Sequence, residues 1–189
     1  MVVRGPIFLS PRALMSNRPL SIASFLGISL GLSLVLLAPT LAQTPQVDGI
    51  EIVETGIYGV ETTKLTPSSD TAAGYLGTVD DIKLTKSTTT VSAERGTNFG
   101  VRYKIVGTPK GAAVEIRLVT KLPTQGLNNP KTGEITFRND LTVERTIGDV
   151  HFRGYSLRND WEAVPGVWTF EFWYKDQKLA EQKFTVTVP

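Results

Sequence analysis

The sequence predicts an all-β protein, an immunoglobulin-like antiparallel β-sandwich of seven to nine strands that follows an N-terminal signal peptide. Three observations predict this class. No long segment after residue 42 spaces its apolar residues as a helix requires, whereas apolar and polar residues alternate in many short runs. Gly, Pro, Asn and Asp separate these runs, as they do between the strands of a sheet with one buried face. An up-and-down barrel gives the same pattern and stays open as an alternative.

Residues 1–42 have the features of a signal peptide and are excluded from the fold. They carry three arginines and no acidic residue, and they contain the apolar run IASFLGISLGLSLVLLA. Small residues at Thr40 and Ala42 match the spacing that signal peptidase requires, so cleavage is expected between Ala42 and Gln43. An uncleaved anchor is the alternative, because about 17 apolar residues are at the short limit for spanning a bilayer. We therefore expect a periplasmic or secreted protein that meets the membrane only through this segment.

The composition of the remaining chain excludes several classes of protein. The sequence has no cysteine, so disulfides and a lipid-modified cysteine are impossible and the domain must be stabilised by its core. Removing the three leader arginines from the 20 basic residues leaves 17 against 18 acidic ones, a net charge of −1. The excess of basic residues thus belongs to the leader, and nucleic acid is not an expected partner. Residues 43–48 are expected to form a short tail and residues 49–189 a single domain.

The first half of the domain is predicted to hold four strands. The first strand covers Gly49 to Val60, and the Thr/Ser/Gly-rich segment from Thr62 to Gly77 is expected to be the loosest part of the domain. The second, DDIKLTKSTTTV, presents its serines and threonines to solvent. The third and fourth are joined by the turn GTPKG, in which Pro restricts one φ angle and Gly permits a positive one. Alternation along these two strands assigns a set of core residues. They are Phe99, Val101, Tyr103, Ile105, Val114, Ile116 and Leu118.

The second half begins with a longer loop from Pro123 to Gly133. The segment EITFRNDLTVERTI follows, either as one strand with a bend at Asn139 and Asp140 or as two strands. VHFRGYSL is the next predicted strand. The last two strands form a hairpin with Asp176 and Gln177 at its turn.

The closing hairpin raises a question about Trp173. Glu171 and Thr169 indicate the solvent face of its first strand, so the opposite face is predicted to be core. The predicted core residues of the hairpin are Trp168, Phe170, Phe172, Phe184, Val186 and Val188. Trp173 shares the face of Glu171, and two explanations stay open. Either Trp173 packs under a loop or against Lys183, or it is an exposed platform for a sugar ring or a partner's side chain.

Residue types for several catalytic chemistries are missing or poorly placed. A Ser/His mechanism needs an imidazole to accept a proton, and the only histidine, His151, is predicted on an outer sheet face. One histidine and no cysteine exclude the usual zinc sites, and no Asp/Asn/Gly repeat indicates calcium. The acid pairs Asp160 with Glu162 and Asp80 with Asp81 are interpreted as solvated loop charges and not as glycosidase carboxylates. No catalytic residue, metal or cofactor is therefore predicted.

Three segments of the chain resemble a known family of small exported bacterial proteins. They are VETGIYGVETTK, PTQGLNNPKTGE and GYSLRNDWEAVPGVWTFEFWYKDQKLAEQKFTV. The family is described as a domain of unknown function and shares a Gly-Tyr segment, a Trp-Glu pair before Pro-Gly, and a Trp-rich closing hairpin. The resemblance covers about Gly49 to Val188 and implies an exported all-β domain, without an activity, ligand or catalytic residue. The matching positions are Gly154, Tyr155, Trp161, Glu162, Pro165, Gly166 and Trp168.

Two binding functions are predicted in place of catalysis. In the first, the protein is a non-enzymatic adaptor that contacts an envelope protein through the loop from Pro123 to Gly133, with Trp161 nearby, or along an exposed sheet edge. In the second, it is a carbohydrate-binding module in which Trp161, Tyr155 or Trp173 stacks on sugar rings. The alternative for Trp161 is that it closes the end of the sandwich. The candidate interaction surface comprises Tyr155, Trp161, Glu162, Trp173, Gln125, Asn128 and Asn129.

Overall fold

The computed structural model describes residues 43–188, and the predicted signal peptide, residues 1–42, lies outside this range. The strands in chain order are β1 (Gln46–Pro67), β2 (Tyr75–Ser87), β3 (Thr90–Ser92), β4 (Asn98–Thr108), β5 (Ala113–Lys121), β6 (Leu127–Asn128), β7 (Ile135–Thr136), β8 (Arg138–Thr146), β9 (Val150–Ser156), β10 (Gly166–Tyr174) and β11 (Gln177–Thr187). A 3₁₀ turn over Asp160–Glu162 is the one helical element in this range. Within the same residues no helix has the length and apolarity needed to cross a membrane.

The strands form two principal sheets that enclose one core. The first sheet has the order β2-β1-β4-β9, and the second has the order β3-β11-β10-β5-β8. All neighbours are antiparallel except β3, which pairs parallel with β11, and β6 with β7 forms a separate small pair. The prediction of an all-β sandwich is confirmed. The described residues contain eleven strands and not seven to nine, because β3, β6 and β7 have only two or three residues each.

The core consists of the inward-facing residues of the two sheets. Phe99 lies at its centre, with ring centroids 5.6, 5.9 and 5.1 Å from those of Trp168, Phe170 and Phe184. The predicted core residues of β4, β5 and β10 are all buried, as alternation requires. The prediction for Val188 is wrong, since this side chain is 74% exposed. The reason is that β11 ends at Thr187, so Val188 has no facing sheet to pack on.

The two strands of the β1–β2 hairpin are longer than predicted. Strand β1 begins three residues before Gly49 and continues to Pro67, so only Ser68 to Gly74 connects it to β2. Most of the segment from Thr62 to Gly77, which the sequence predicted as a connection, therefore lies in strands. Three register shifts along this pair bend the strands, as β-bulges do.

The tip of the β1–β2 hairpin is fastened to the other sheet. The Oδ1 atom of Asn139 in β8 accepts a hydrogen bond from the N–H of Ala72 at 2.9 Å. The Nδ2 group of Asn129 donates to the carbonyl oxygen of Ala72 at 3.0 Å. The hairpin thus starts in the first sheet and ends against the edge strand of the second sheet, across the side of the sandwich.

The face of strand β9 that points toward the core is the opposite of the predicted one. Tyr155, Arg153 and His151 pair with Phe99, Val101 and Tyr103, so they point toward the core side. Their neighbours Val150, Phe152 and Gly154 lie on the outer face, where the ring of Phe152 packs on Tyr58 at 4.9 Å. Strand β9 is an edge strand whose more apolar face, with Val150 and Phe152, points outward, so alternation alone misassigns it. The prediction that His151 lies on an outer face is wrong for this reason.

The strand assignment and pairing decide two smaller predictions, one about the segment after Gly133 and one about the turn of the closing hairpin. The segment after Gly133 forms two separate strands, as one of the two alternatives proposed, and Phe137 lies between them. In the closing hairpin Tyr174 pairs with Gln177, so the turn residues are Lys175 and Asp176.

Candidate functional site

A cavity of about 340 Å³ lies at the side of the sandwich, where the edge strands β8 and β9 both line it. We call it the side cavity. Leu118, Leu141 and Val143 contribute apolar surface from the second sheet, and the β1–β2 hairpin contributes Val60 and residues 75–79. Ligand pockets generally have volumes of about 300–1,000 Å³, so the side cavity is at the small end of this range. It is large enough for a small molecule or for one residue of a partner.

The guanidinium of Arg153 enters the side cavity from β9. Its Nη2 group donates to the hydroxyl oxygen of Thr120 at 2.8 Å. Its Nε atom is buried and has no hydrogen-bond partner. Within residues 43–188 no carboxylate forms an ion pair with this side chain. Burial lowers the pKa of Arg153 from 12.5 to about 10, so the group is still charged at neutral pH.

Two further arginines give the side cavity an excess of positive charge. Arg145 donates from Nε to the hydroxyl of Tyr103 at 3.2 Å and from Nη1 to the carbonyl of Glu144 at 2.8 Å. Arg158 donates to the hydroxyl of Thr62. The three arginines face a single carboxylate among the lining residues, that of Glu162. The lining therefore carries a formal charge of +2, and this charge favours an anion.

Glu162 forms no ion pair with these arginines, because both of its carboxylate oxygens accept hydrogen bonds from other groups. The side chain is 1% exposed, and Oε1 accepts a hydrogen bond from the hydroxyl of Tyr155 at 2.9 Å. Oε2 accepts from the backbone N–H groups of Arg158 and Asn159 at 3.1 and 2.8 Å. Burial first, and then the charge and hydrogen bond of Glu162, raise the pKa of Tyr155 far above its ordinary value. Glu162 therefore holds Tyr155 and the start of the 3₁₀ turn in place, and the prediction of a solvated loop charge is wrong for it.

The loop from Pro123 to Gly133 lies beside the segment that carries Trp161, as the sequence predicted. Gln125 is exposed and donates from Nε2 to the carbonyl of Pro165 at 2.7 Å. Asn128 is exposed on β6, whereas Asn129 is buried and holds the tip of the β1–β2 hairpin. Trp161 is half-buried and packs against the core cluster. This placement favours the alternative that Trp161 closes the end of the sandwich.

Trp173 lies on the outer face of the second sheet and does not line the side cavity. Its indole N–H donates to Oε2 of Glu171 at 3.1 Å, and the guanidinium of Arg117 lies 5.7 Å from its ring centroid. Trp173 thus packs against Arg117 and not against Lys183. The prediction that Glu171 and Thr169 are exposed is wrong, since they are 3% and 7% exposed. Long side chains cover this face, among them Lys121, whose Nζ lies 2.8 Å from Oε1 of Glu171.

His151 faces Tyr103 and has no arrangement typical of a catalytic base. The two ring centroids are 5.7 Å apart, and Nε2 lies 3.1 Å from the carbonyl oxygen of Thr146, a geometry in which the imidazole donates. Across residues 43–188 no group of three or more His, Asp or Glu side chains could hold a metal ion.

Sequence reasoning missed the side cavity and the role of Arg153. One feature of the sequence could have located Arg153. Arg153 and Tyr155 are two residues apart, so they point to the same side of β9, and a Tyr155 ring packed on the core requires Arg153 to point to the core side as well. Tyr155 does pack there, 4.8 Å from the ring of Trp168. The tip of the β1–β2 hairpin gave no such signal, because its contacts are distant in the sequence.

The fold and most of the chain have recognisable relatives. A solved immunoglobulin-like protein from Pseudomonas aeruginosa is similar, with a TM-score of 0.52 and 23% identity over 77% of this chain and 98% of that chain. At this identity the likeness supports the fold alone. No curated protein matches the chain. Residues 46–186 match the model of a family described as a domain of unknown function, DUF3859. Since this match spans the whole sandwich from β1 into β11, the chain belongs to the DUF3859 family and is an immunoglobulin-like member of it.

Proposed function

We propose that this protein is a non-enzymatic binding domain of the bacterial envelope that recognises another envelope protein through an acidic group held in the side cavity. The observation that carries the proposal is the guanidinium of Arg153, which is charged and has no ion pair among the described residues; the side chain is half-buried, and its Nε atom is fully buried without a partner. A buried charge destabilises a fold unless a partner compensates it. An acidic group of a binding partner supplies that compensation, and arginine clusters are a recurring means of recognising acidic motifs.

The surroundings of the acidic and imidazole groups support binding rather than catalysis. Glu162 accepts hydrogen bonds from Tyr155, Arg158 and Asn159, so both of its oxygens already have partners inside the protein. His151 is bonded to the carbonyl of Thr146. Residence in the periplasm or outside the cell is part of the proposal and rests on the leader-like pattern of residues 1–42.

The carbohydrate-binding alternative has weaker support because a stacking platform needs a free ring face. Tyr155 and Trp161 pack on the core cluster. Trp173 is partly exposed, but Arg117 lies over its ring. The alternative therefore depends on Trp173 alone.

A capture experiment with a matched arginine pair tests the proposal. The processed chain, residues 43–189, serves as bait in a native envelope extract, beside Arg153→Met and the control Arg138→Met. Arg138 is exposed, pairs with Asp140 and does not line the side cavity. We expect one protein to be retained near stoichiometric amounts by the wild type and by Arg138→Met, and to be lost by Arg153→Met.

Two other outcomes decide against the proposal. Equal retention of the partner by Arg153→Met would remove the side cavity from recognition. Retention of glycan without protein, together with quenching of tryptophan fluorescence by soluble sugars that Trp173→Ala abolishes, would support the carbohydrate-binding alternative instead.

A further inference from the structure

Resting on the proposed function, we infer that the acidic group bound in the side cavity is a carboxylate joined to an apolar body, and not a bare anion such as phosphate. The lining combines two kinds of surface that such a ligand would need together. One is the guanidinium of Arg153, and the other is a set of aliphatic side chains from the second sheet and from the β1–β2 hairpin.

The one buried donor without a partner matches a carboxylate. Only two buried side-chain polar atoms of residues 43–188 have no partner, and Nε of Arg153 is the one nitrogen among them. Arg145 and Arg158 each use part of their guanidinium on other partners, namely Tyr103 and the carbonyl of Glu144 for Arg145 and Thr62 for Arg158. A phosphate carries more charge and more acceptor oxygens than a carboxylate, so it needs more donors than the one buried N–H that has no partner. A carboxylate is satisfied by one or two donors from a single guanidinium.

The aliphatic part of the lining matches the rest of the ligand. Leu118 and Leu141 pair across β5 and β8 in the second sheet, and Val60 and Val79 line the same cavity from the hairpin. At about 30 Å³ per water molecule, the volume of about 340 Å³ is that of about eleven waters. Acetate or phosphate alone would leave most of this apolar space unfilled, whereas an eight-carbon acid or a leucine-like terminal residue would bury apolar surface in it.

Two sources could supply a ligand of this kind, and the comparison of octanoate with the free peptide separates them. One is the free C-terminal carboxylate of a partner protein whose last side chain is apolar. The other is a free medium-chain fatty acid. Both present one carboxylate at the end of an apolar body, so both require the same features of the side cavity.

The experiment uses the full chain, expressed with its own N-terminal segment, and titrates it calorimetrically with six probes. Octanoate carries both features, acetate and inorganic phosphate carry only the charge, and octanol carries only the apolar body. A short peptide ending in leucine, with its carboxyl either free or amidated, represents a partner's terminus. We expect octanoate or the free peptide to bind at least tenfold more tightly than acetate, phosphate, octanol and the amidated peptide.

Variants locate the site of binding. Arg153→Met should weaken the binding of octanoate or the free peptide at least tenfold, and Arg138→Met should leave it unchanged. Arg153→Lys keeps the charge but not the Nε donor, so it should bind with intermediate affinity if the fold is kept. In the wild type, NMR should show ligand-dependent shifts of the Arg153 Nε–H signal and of the Leu141 methyl signals, a readout that does not depend on any variant folding.

The outcomes separate this inference from the proposed function. Phosphate binding as tightly as octanoate and the free peptide would overturn the inference and leave the proposed function standing. Octanoate binding that survives Arg153→Met, without a shift of the Nε–H signal, would place the ligand elsewhere and overturn the inference. If no probe binds, the inference fails, and envelope capture with Arg153→Met decides the proposed function separately.

Discussion

Replacing Arg153 by Met should make the unliganded protein more stable, because it removes a half-buried charge that has no ion pair among the described residues. Burial lowers the pKa of Arg153 from 12.5 to about 10. At about 1.4 kcal/mol for each tenfold change in an equilibrium constant, desolvation destabilises the charged folded state by at most about 3 kcal/mol. Because the side chain is partly exposed in the side cavity, we take about half of this value.

The variant also loses a hydrogen bond, and this loss reduces the gain. The hydroxyl of Thr120 is fully buried and would be left without the Arg153 donor, at a cost of about 1 kcal/mol. The net gain in the free energy of unfolding should therefore be about 0.5–1 kcal/mol. It should be larger by about 1 kcal/mol in the double variant Arg153→Met with Thr120→Val, since both partners are then replaced by apolar groups.

Urea unfolding followed by tryptophan fluorescence measures these differences. The gain should be constant between pH 6 and 9, where Arg153 is protonated in both the folded and the unfolded chain. It should shrink above pH 10, because the folded wild type then loses the proton before the unfolded chain does and its stability rises with pH. A loss of more than about 1 kcal/mol at pH 7 in the double variant would refute the reasoning, because Arg153 would then stabilise the fold.

Three further predictions follow from other contacts. Asn139→Ala removes the acceptor at the hairpin tip, so hydrogen exchange of residues 68–79 should accelerate at least about tenfold while β10 is unchanged. The hydrogen bond from Arg117 lowers the pKa of Asp140, so the pair stabilises the wild type at neutral pH, and this stabilisation should be lost as the pH falls below about 4. Arg117→Met removes the hydrogen bond, so the variant should lose less stability over the same pH range. Gly100→Ala should lower the free energy of unfolding by more than about 3 kcal/mol, because the added Cβ would lie 2.3 Å from the carbonyl oxygen of Arg153 in β9.

Each of these predictions has a contradicting result, and Gly100→Ala also has a control variant. Gly49→Ala is the control for strand glycines, since no atom lies within 4 Å of its added Cβ, and equal stability losses at the two positions would contradict the close approach of β4 and β9. Parallel acid-titration curves for the wild type and Arg117→Met would show that the ion pair of Asp140 contributes nothing. Unchanged exchange at the tip in Asn139→Ala would mean that other contacts, such as that of Asn129, hold the β1–β2 hairpin.

Strand β10 shows which buried residues the alternation of one strand predicts and which it does not. Alternation along β10 placed Trp168, Phe170 and Phe172 in the core, and each is buried. The same alternation placed Glu171 in solvent, where neighbouring side chains cover it instead. Burial by itself raises the pKa of Glu171, but the hydrogen bonds from Lys121 and Trp173 lower it below the ordinary value. Such cover comes from other strands, so the pattern of one strand cannot predict it.

The sequence by itself determined the sandwich class and the inward faces of the central strands, because a strand buried on one side must alternate with a period of two residues. The tertiary structure alone decided the site. Arg153 lies in a cavity because β9 is an edge strand whose facing was set by pairing with β4. The side cavity is covered because Ala72 binds Asn139, a residue 67 positions away. Contacts between segments so distant leave no periodic trace in the sequence, so only the folded chain brings the charge and its apolar surroundings together.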